Sequence, residues 1–156
     1  MNPIPPTNIG DISHVIQLAV APVFLLAGVG TVLAVLSLRL GRAVDRARVL
    51  EEMLPGLAGD AHGHAREELL LLSRRMQLIY AAIALDVACA LFICLVIAVA
   101  FVDAFLVANL AKLMGGLFML AMISLIACLG TFLREIFISV KSARETMRRR
   151  IEAAGA

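Results

Sequence analysis

No Asp, Glu, Lys or Arg occurs between Ile12 and Leu38, a run of 27 residues. A helix needs roughly 20 apolar residues to cross about 30 Å of hydrocarbon, so this run is too long and too apolar for a soluble helix with one polar face. Met1 to Asp11 contains neither Lys nor Arg. A cleavable export signal needs a basic start and a short apolar core, so the run is read as a retained span. The leader before it is extended by Pro3, Pro5 and Pro6. Aromatic residues are scarce, with one Tyr and no Trp. Without stacking platforms beside the arginine-rich segments, no nucleic-acid partner is expected. There is no GxSxG, no HExxH, no Gly-rich phosphate loop and no Ser, His and Asp set at one depth. No catalytic residue, no cofactor and no enzyme activity are therefore expected. The only cysteines, Cys89, Cys94 and Cys128, lie inside apolar runs and form no disulfide or metal spacing. Cys89 and Cys94, five apart, point to different helix faces.

What the chain has in excess is apolar length. Its 156 residues are 62% hydrophobic with a mean hydropathy of +0.96, well above a soluble domain. The excess gathers in three blocks, 12–38, 76–102 and 113–133. The expected fold is an all-α membrane protein with three transmembrane helices. Orientation follows from the basic residues, which stay on the cytoplasmic side of span ends. Seven of the fourteen lie between the first two blocks, six follow the third, and only Lys112 falls in the remaining loop. The N-terminus is thus expected outside and the C-terminus inside.

The helical pattern continues past the spans. Leu40, Val44, Ala47, Leu50 or Glu51, and Leu54 form one apolar row, before Pro55, Gly56 and Gly59 break it. Helix is expected to resume around Ala65 with Glu67 and Glu68 in its first turn. Ile136, Val140, Ala143, Met147 and Ile151 form another row. The organisation expected is an exterior leader over 1–11 and a single membrane domain over 12–152. That domain includes a cytoplasmic helical hairpin over 39–75 and a C-terminal cytoplasmic helix over 134–152. The extensions are expected to bury their rows against each other as a stalk, the last helix lying on anionic lipid being the other reading. Asp11 or Ser13 is the expected cap of the first helix, and Pro22 predicts a mild kink.

Asp86 is the sharpest single signal. It lies about 16 Å beyond Arg75 at helical rise, near the bilayer midplane. An ionised acid there costs at least about 2.5–3.5 kcal/mol, so a neutral carboxyl bonded to a hydroxyl of Thr31, Ser124 or Thr131, or one facing water, is expected. Interhelical glue and an ion or proton role both remain open for it. A stripe on the first helix is the second signal. At 100° per residue, Ser13, Gln17, Ala21, Phe24, Gly28, Thr31, Val35, Arg39, Arg42 and Arg46 share one face. Such a face can line a pore that runs from polar, through an apolar constriction at Phe24, to a basic inner mouth. It can equally be a close-packing surface, with Gly28 and Thr31 as the small residues. His62, His64 and Asp60 are too few for a zinc site, and no metal is expected. His14, at the outer end of the first span, is read as an interfacial hydrogen-bonding histidine, a group that titrates near neutral pH being the other reading.

The run ISHVIQLAVAPVFLLAGVGTVLAVLSLRLGRAVDRARVLEE, with ELLLLSRRMQLIYAAIAL, FICLVIAV and TFLREI after it, resembles a family of small bacterial membrane proteins known only as a domain of unknown function. The resemblance covers about Ile12 to Val140, and VDRARxLE and FLRE are its specific strings. It implies three spans in a bacterial cytoplasmic membrane and supplies no activity or site. The functional expectation is a homo-oligomer in the bilayer that forms an ion-conducting pore or ion-responsive channel lined by the first helix. A structural or regulatory protein whose stalk binds a cytoplasmic protein is the alternative.

Overall fold

The computed structural model describes residues 9–56, 59–106 and 110–154, with the side chains of 20–56, 59, 61–103, 110–141, 144, 147 and 148. Three long helices, α1 (Ile9–Met53), α2 (Asp60–Leu106) and α3 (Ala111–Ala154), make up nearly all of it, with a 3-10 turn at Leu54–Gly56. No strand occurs among the described residues. At 45, 47 and 44 residues, each helix is about 65–70 Å long at 1.5 Å per residue, twice the thickness of the hydrocarbon layer. All three contain stretches apolar and long enough to cross a membrane, and only 11%, 22% and 17% of those stretches is buried within the chain. Apolar surface left uncovered on that scale needs lipid around it. The chain is a multi-pass membrane protein.

The helix boundaries differ from expectation in ways that have local causes. α1 starts at Ile9, so Asp11 and Ser13 lie inside it and neither is its cap. It continues through Pro22, whose lost backbone bond does not end the helix. The chain then reverses at Gly59, whose φ of +63° falls where an L side chain is disfavoured. The Gly59 carbonyl accepts the Gly63 N–H at 3.4 Å, and α2 begins at Asp60, five residues before the expected start at Ala65. An acid at the first position suits the positive end of the helix dipole. A Cβ at Gly59 would meet nothing within 4 Å, so Gly59→Ala is expected to cost about 1 kcal/mol through backbone strain alone, read as a lowered thermal midpoint. The second turn is shorter than the expected 103–112. Asp103 Oδ1 accepts the Leu110 N–H at 2.9 Å, and the Leu110 carbonyl accepts the Met114 N–H at 3.0 Å, which starts α3. Of the extended leader expected over 1–11, residues 9–11 belong instead to α1, and 1–8 lie outside the described residues.

The chain divides into two compact units. In the first, residues 1–32 and 86–125, Val29 of α1, Cys89 and Ile93 of α2 and Ala121 of α3 form a buried cluster, with Leu25, Leu26, Phe92, Ile97 and Leu125 packed around it. Small residues such as Cys89 and Ala121 let membrane helices approach closely. Cys94 is exposed while Cys89 is buried, as their spacing requires.

In the second unit, residues 33–85 and 126–156, α1 and α2 pack side by side as an antiparallel hairpin. Ala47 and Leu50 pack against Ala65 and Leu72, with Leu54, Leu69 and Met76 at the margin. The α2 row Ala65, Leu69, Leu72, Met76 and Ile79 steps by four and three, which is the heptad seam. Ala43 is buried in the α1 row, while Leu40 and Val44 are only half-buried. On α3, Ile136 is half-buried, while Val140 and Met147 of the expected row are exposed. Ala143 and Ile151 of that row lie outside the described side chains. An exposed ion pair joins the hairpin, Arg46 Nη2 to Glu68 Oε1 at 2.9 Å. Exposed pairs are worth little, and Glu68→Ala is expected to change stability by less than about 1 kcal/mol in thermal unfolding.

Candidate functional site

Three polar side chains are buried among the described residues: Asp86, Ser124 and Glu135. Each lies on the inner row of its helix. On α3 that row is Ala121, Ser124, Cys128 and Glu135, and on α2 it runs Ile79, Ala82, Asp86, Cys89 and Ile93. These positions recur at helical spacing, so a polar residue placed on either row points inward as surely as an apolar one.

Glu135 is the centre of the densest polar cluster. Its side chain is 1% exposed. Arg39 of α1 donates through Nη1 to Oε2, and Arg75 of α2 donates through Nη2 and Nε to Oε1 at 3.1 and 3.3 Å. Ser139, one turn further along α3, donates its hydroxyl to the same Oε1 at 3.2 Å. The Arg39 guanidinium also lies 5.3 Å from the centre of the Phe132 ring, a cation–π distance. Arg39 follows the buried Leu36 by three residues and Arg75 follows the buried Leu72 by three, which turns both toward the interior. The two arginines are 30% and 26% exposed, so water reaches them from outside while the carboxylate is sealed. One acid thus joins three helices within the second unit, and the cluster carries one positive charge in excess.

The stripe reading places Arg39 at the basic mouth of a pore and gives Arg75 and Glu135 no site role. The signal that identifies Glu135 is its register: Ser124, Cys128, Thr131 and Glu135 form a polar row at steps of four, three and four on an otherwise apolar helix. Topology already accounted for the arginines, so nothing in the sequence demanded a partner for them.

Asp86 is 0% exposed and lies in the first unit, where Ser124 is buried as well. Two of the hydroxyls expected to serve it donate within their own helices. Thr31 Oγ1 donates to the Ala27 carbonyl at 3.1 Å and Thr131 Oγ1 to the Ala127 carbonyl at 2.8 Å. Ser124 is the remaining hydroxyl of that set.

From Phe24 to Val35 and at Arg42, the stripe on α1 faces away from the packed interior. Phe24 is 75% exposed, and Gly28, Thr31, Val35 and Arg42 are exposed with it. The opposite face, through Val29, Leu36, Ala43 and Leu50, is the buried one. A Cβ added at Gly28 would meet nothing within 4 Å, so this glycine is not used for packing inside the chain. At the basic end, Arg39 turns to Glu135 and Arg46 to Glu68, while Arg42 Nε donates to the Leu38 carbonyl of its own helix at 3.4 Å. The side chains of Gln17, Ser13 and His14 lie outside the described ones. His62 and His64 are exposed near the start of α2. No group of three or more His, Cys, Asp or Glu among the described residues is placed to hold a metal ion.

The profile of one protein family, described as a protein of unknown function (DUF2721), matches residues 19–145. The chain belongs to this family. The DUF2721 region takes in the α1 stripe from Phe24 onward, Asp86, and the whole Glu135 cluster, so all of the polar geometry above lies inside the family domain. No curated protein and no solved structure matches the chain.

Proposed function

We propose that this DUF2721 protein assembles as a homo-oligomer in a bacterial cytoplasmic membrane, N-terminus outside, and that the outward face of α1 lines an ion path. The observation that carries this reading is the outward placement of Phe24, Gly28, Thr31 and Val35. Glycine and threonine offer lipid little apolar contact, and small residues on an uncovered membrane helix suit contact with another copy or with water. Three helices do not enclose a conducting path by themselves, so the path requires a ring of copies. Phe24 is its apolar constriction, and Asp86 on the inner row of α2 supplies a protonatable group behind it. The protein is not an enzyme in this reading.

Ion flux in proteoliposomes tests it. Phe24→Ala is expected to raise flux by opening the constriction, and Asp86→Asn to change its pH dependence. Identical flux from both variants and the parent would sink the proposal.

A second reading, a structural or regulatory protein that binds a protein partner through the hairpin, is favoured by one surface. Glu67, Leu70, Leu71 and Arg74 border an open depression of about 390 Å³, and both leucines are exposed. Under it, Leu70→Ser with Leu71→Ser abolishes partner capture and leaves flux intact.

A further inference from the structure

We propose that the outer face of α3 from Phe137 to Arg148 binds the phosphate headgroups of anionic lipid. At 100° per residue, Ile126, Leu133, Phe137, Val140, Lys141, Arg144, Met147 and Arg148 fall within one arc of about 120°, and every one of these side chains is exposed. The side of the helix that presents Ile126 and Leu133 to the surroundings therefore continues unbroken into a mixed apolar and basic surface. A docking site for a soluble protein has no need to lie on the lipid-facing side of its helix; a headgroup site does.

Depth gives the same answer. Lys112 and Arg134 are about 33 Å apart at helical rise, close to the thickness of the hydrocarbon layer, and Lys112 and Lys141 about 44 Å, close to that of the bilayer with its headgroups. Phe137, 67% exposed, then falls in the interfacial layer, and Lys141 and Arg144 come level with phosphate. Val140, next to Lys141 on the same face, suits the acyl boundary beneath the headgroups. From Ile136 to Arg150 the sequence has five basic residues and a single acid, Glu145, and a juxtamembrane cluster of that sign attracts anionic lipid. The proposal needs the membrane placement but not the ion path, so lipid preference and ion flux are separate readouts.

Native mass spectrometry of the full chain, released from nanodiscs of equal phosphatidylglycerol and phosphatidylcholine, tests it. The parent is expected to retain phosphatidylglycerol in preference. Lys141→Gln, Arg144→Gln and Arg148→Gln together are expected to cut that preference at least about fivefold, the effect of roughly one lost surface charge. Equal retention of both lipids by the parent, or a preference unchanged in the triple variant, overturns the proposal. A measurement on the parent alone covers a triple variant that misfolds. Trypsin cleavage after Lys141 and Arg144 is expected to be slower in phosphatidylglycerol nanodiscs than in phosphatidylcholine ones, and equal rates overturn it. Cross-linking of Lys141 between copies at the same yield in both lipids also overturns it, by assigning the face to a second copy.

Discussion

Glu135→Ala is expected to destabilise the protein by about 2–3 kcal/mol, a fall of about 4–12 °C in thermal midpoint for a chain of this size. Breaking a fully buried ion pair costs about 3–5 kcal/mol because the stranded charge has no water. Here the stranded partners are Arg39 and Arg75, each more than a quarter exposed, so both recover some hydration and the expected loss is smaller. Glu135→Gln keeps the volume and can still accept hydrogen bonds, and it should lose about half as much. Because α1, α2 and α3 all meet at this one carboxylate, the effects are coupled. Arg75→Ala introduced into the Glu135→Ala background should add little to the loss. A change of less than about 0.5 kcal/mol for Glu135→Ala would mean that the three-helix tie contributes nothing measurable.

Gly28→Leu should do the opposite: leave the stability of the chain within about 0.5 kcal/mol and reduce ion flux more than tenfold. Inside the chain there is open space at this position, and leucine is a better helix former than glycine, so no folding penalty is expected. In a ring of copies with the α1 stripe at the axis, the added isobutyl group projects into the path one turn from Phe24. Gly30 is the control. It also has open space for a side chain but lies about 200° around the helix from Gly28, off the stripe. Gly30→Leu is expected to conduct normally. Equal loss from both variants would place the effect in helix association rather than at the axis.

The sequence conveys length and polarity far better than partnership. Three long apolar helices and the separate faces of Cys89 and Cys94 follow from runs and periods, because hydrocarbon thickness and helical rise leave few alternatives. The row on α2 from Ala65 to Ile79 is legible only in part: residues 69–72 are four consecutive leucines, and only the heptad register picks out Leu69 and Leu72. The C-terminal row misled because Val140 and Met147 recur at packing distance yet are exposed, and a period says that a face is apolar without saying what covers it. α2 starts five residues before the expected Ala65 because Gly63 does not stop it: a single glycine inside a helix costs only about 1 kcal/mol. Glu135 went unread because its partners come from α1 and α2, far away in sequence, and the arginines already had a sufficient explanation in topology.

The most direct test of the central claim is particle imaging of the purified protein in lipid nanodiscs. The proposal predicts a closed ring of copies with rotational symmetry and with Phe24 and Gly28 of α1 facing a central axis. A uniform population of single chains, or a ring with the α1 stripe turned outward to lipid, would contradict it.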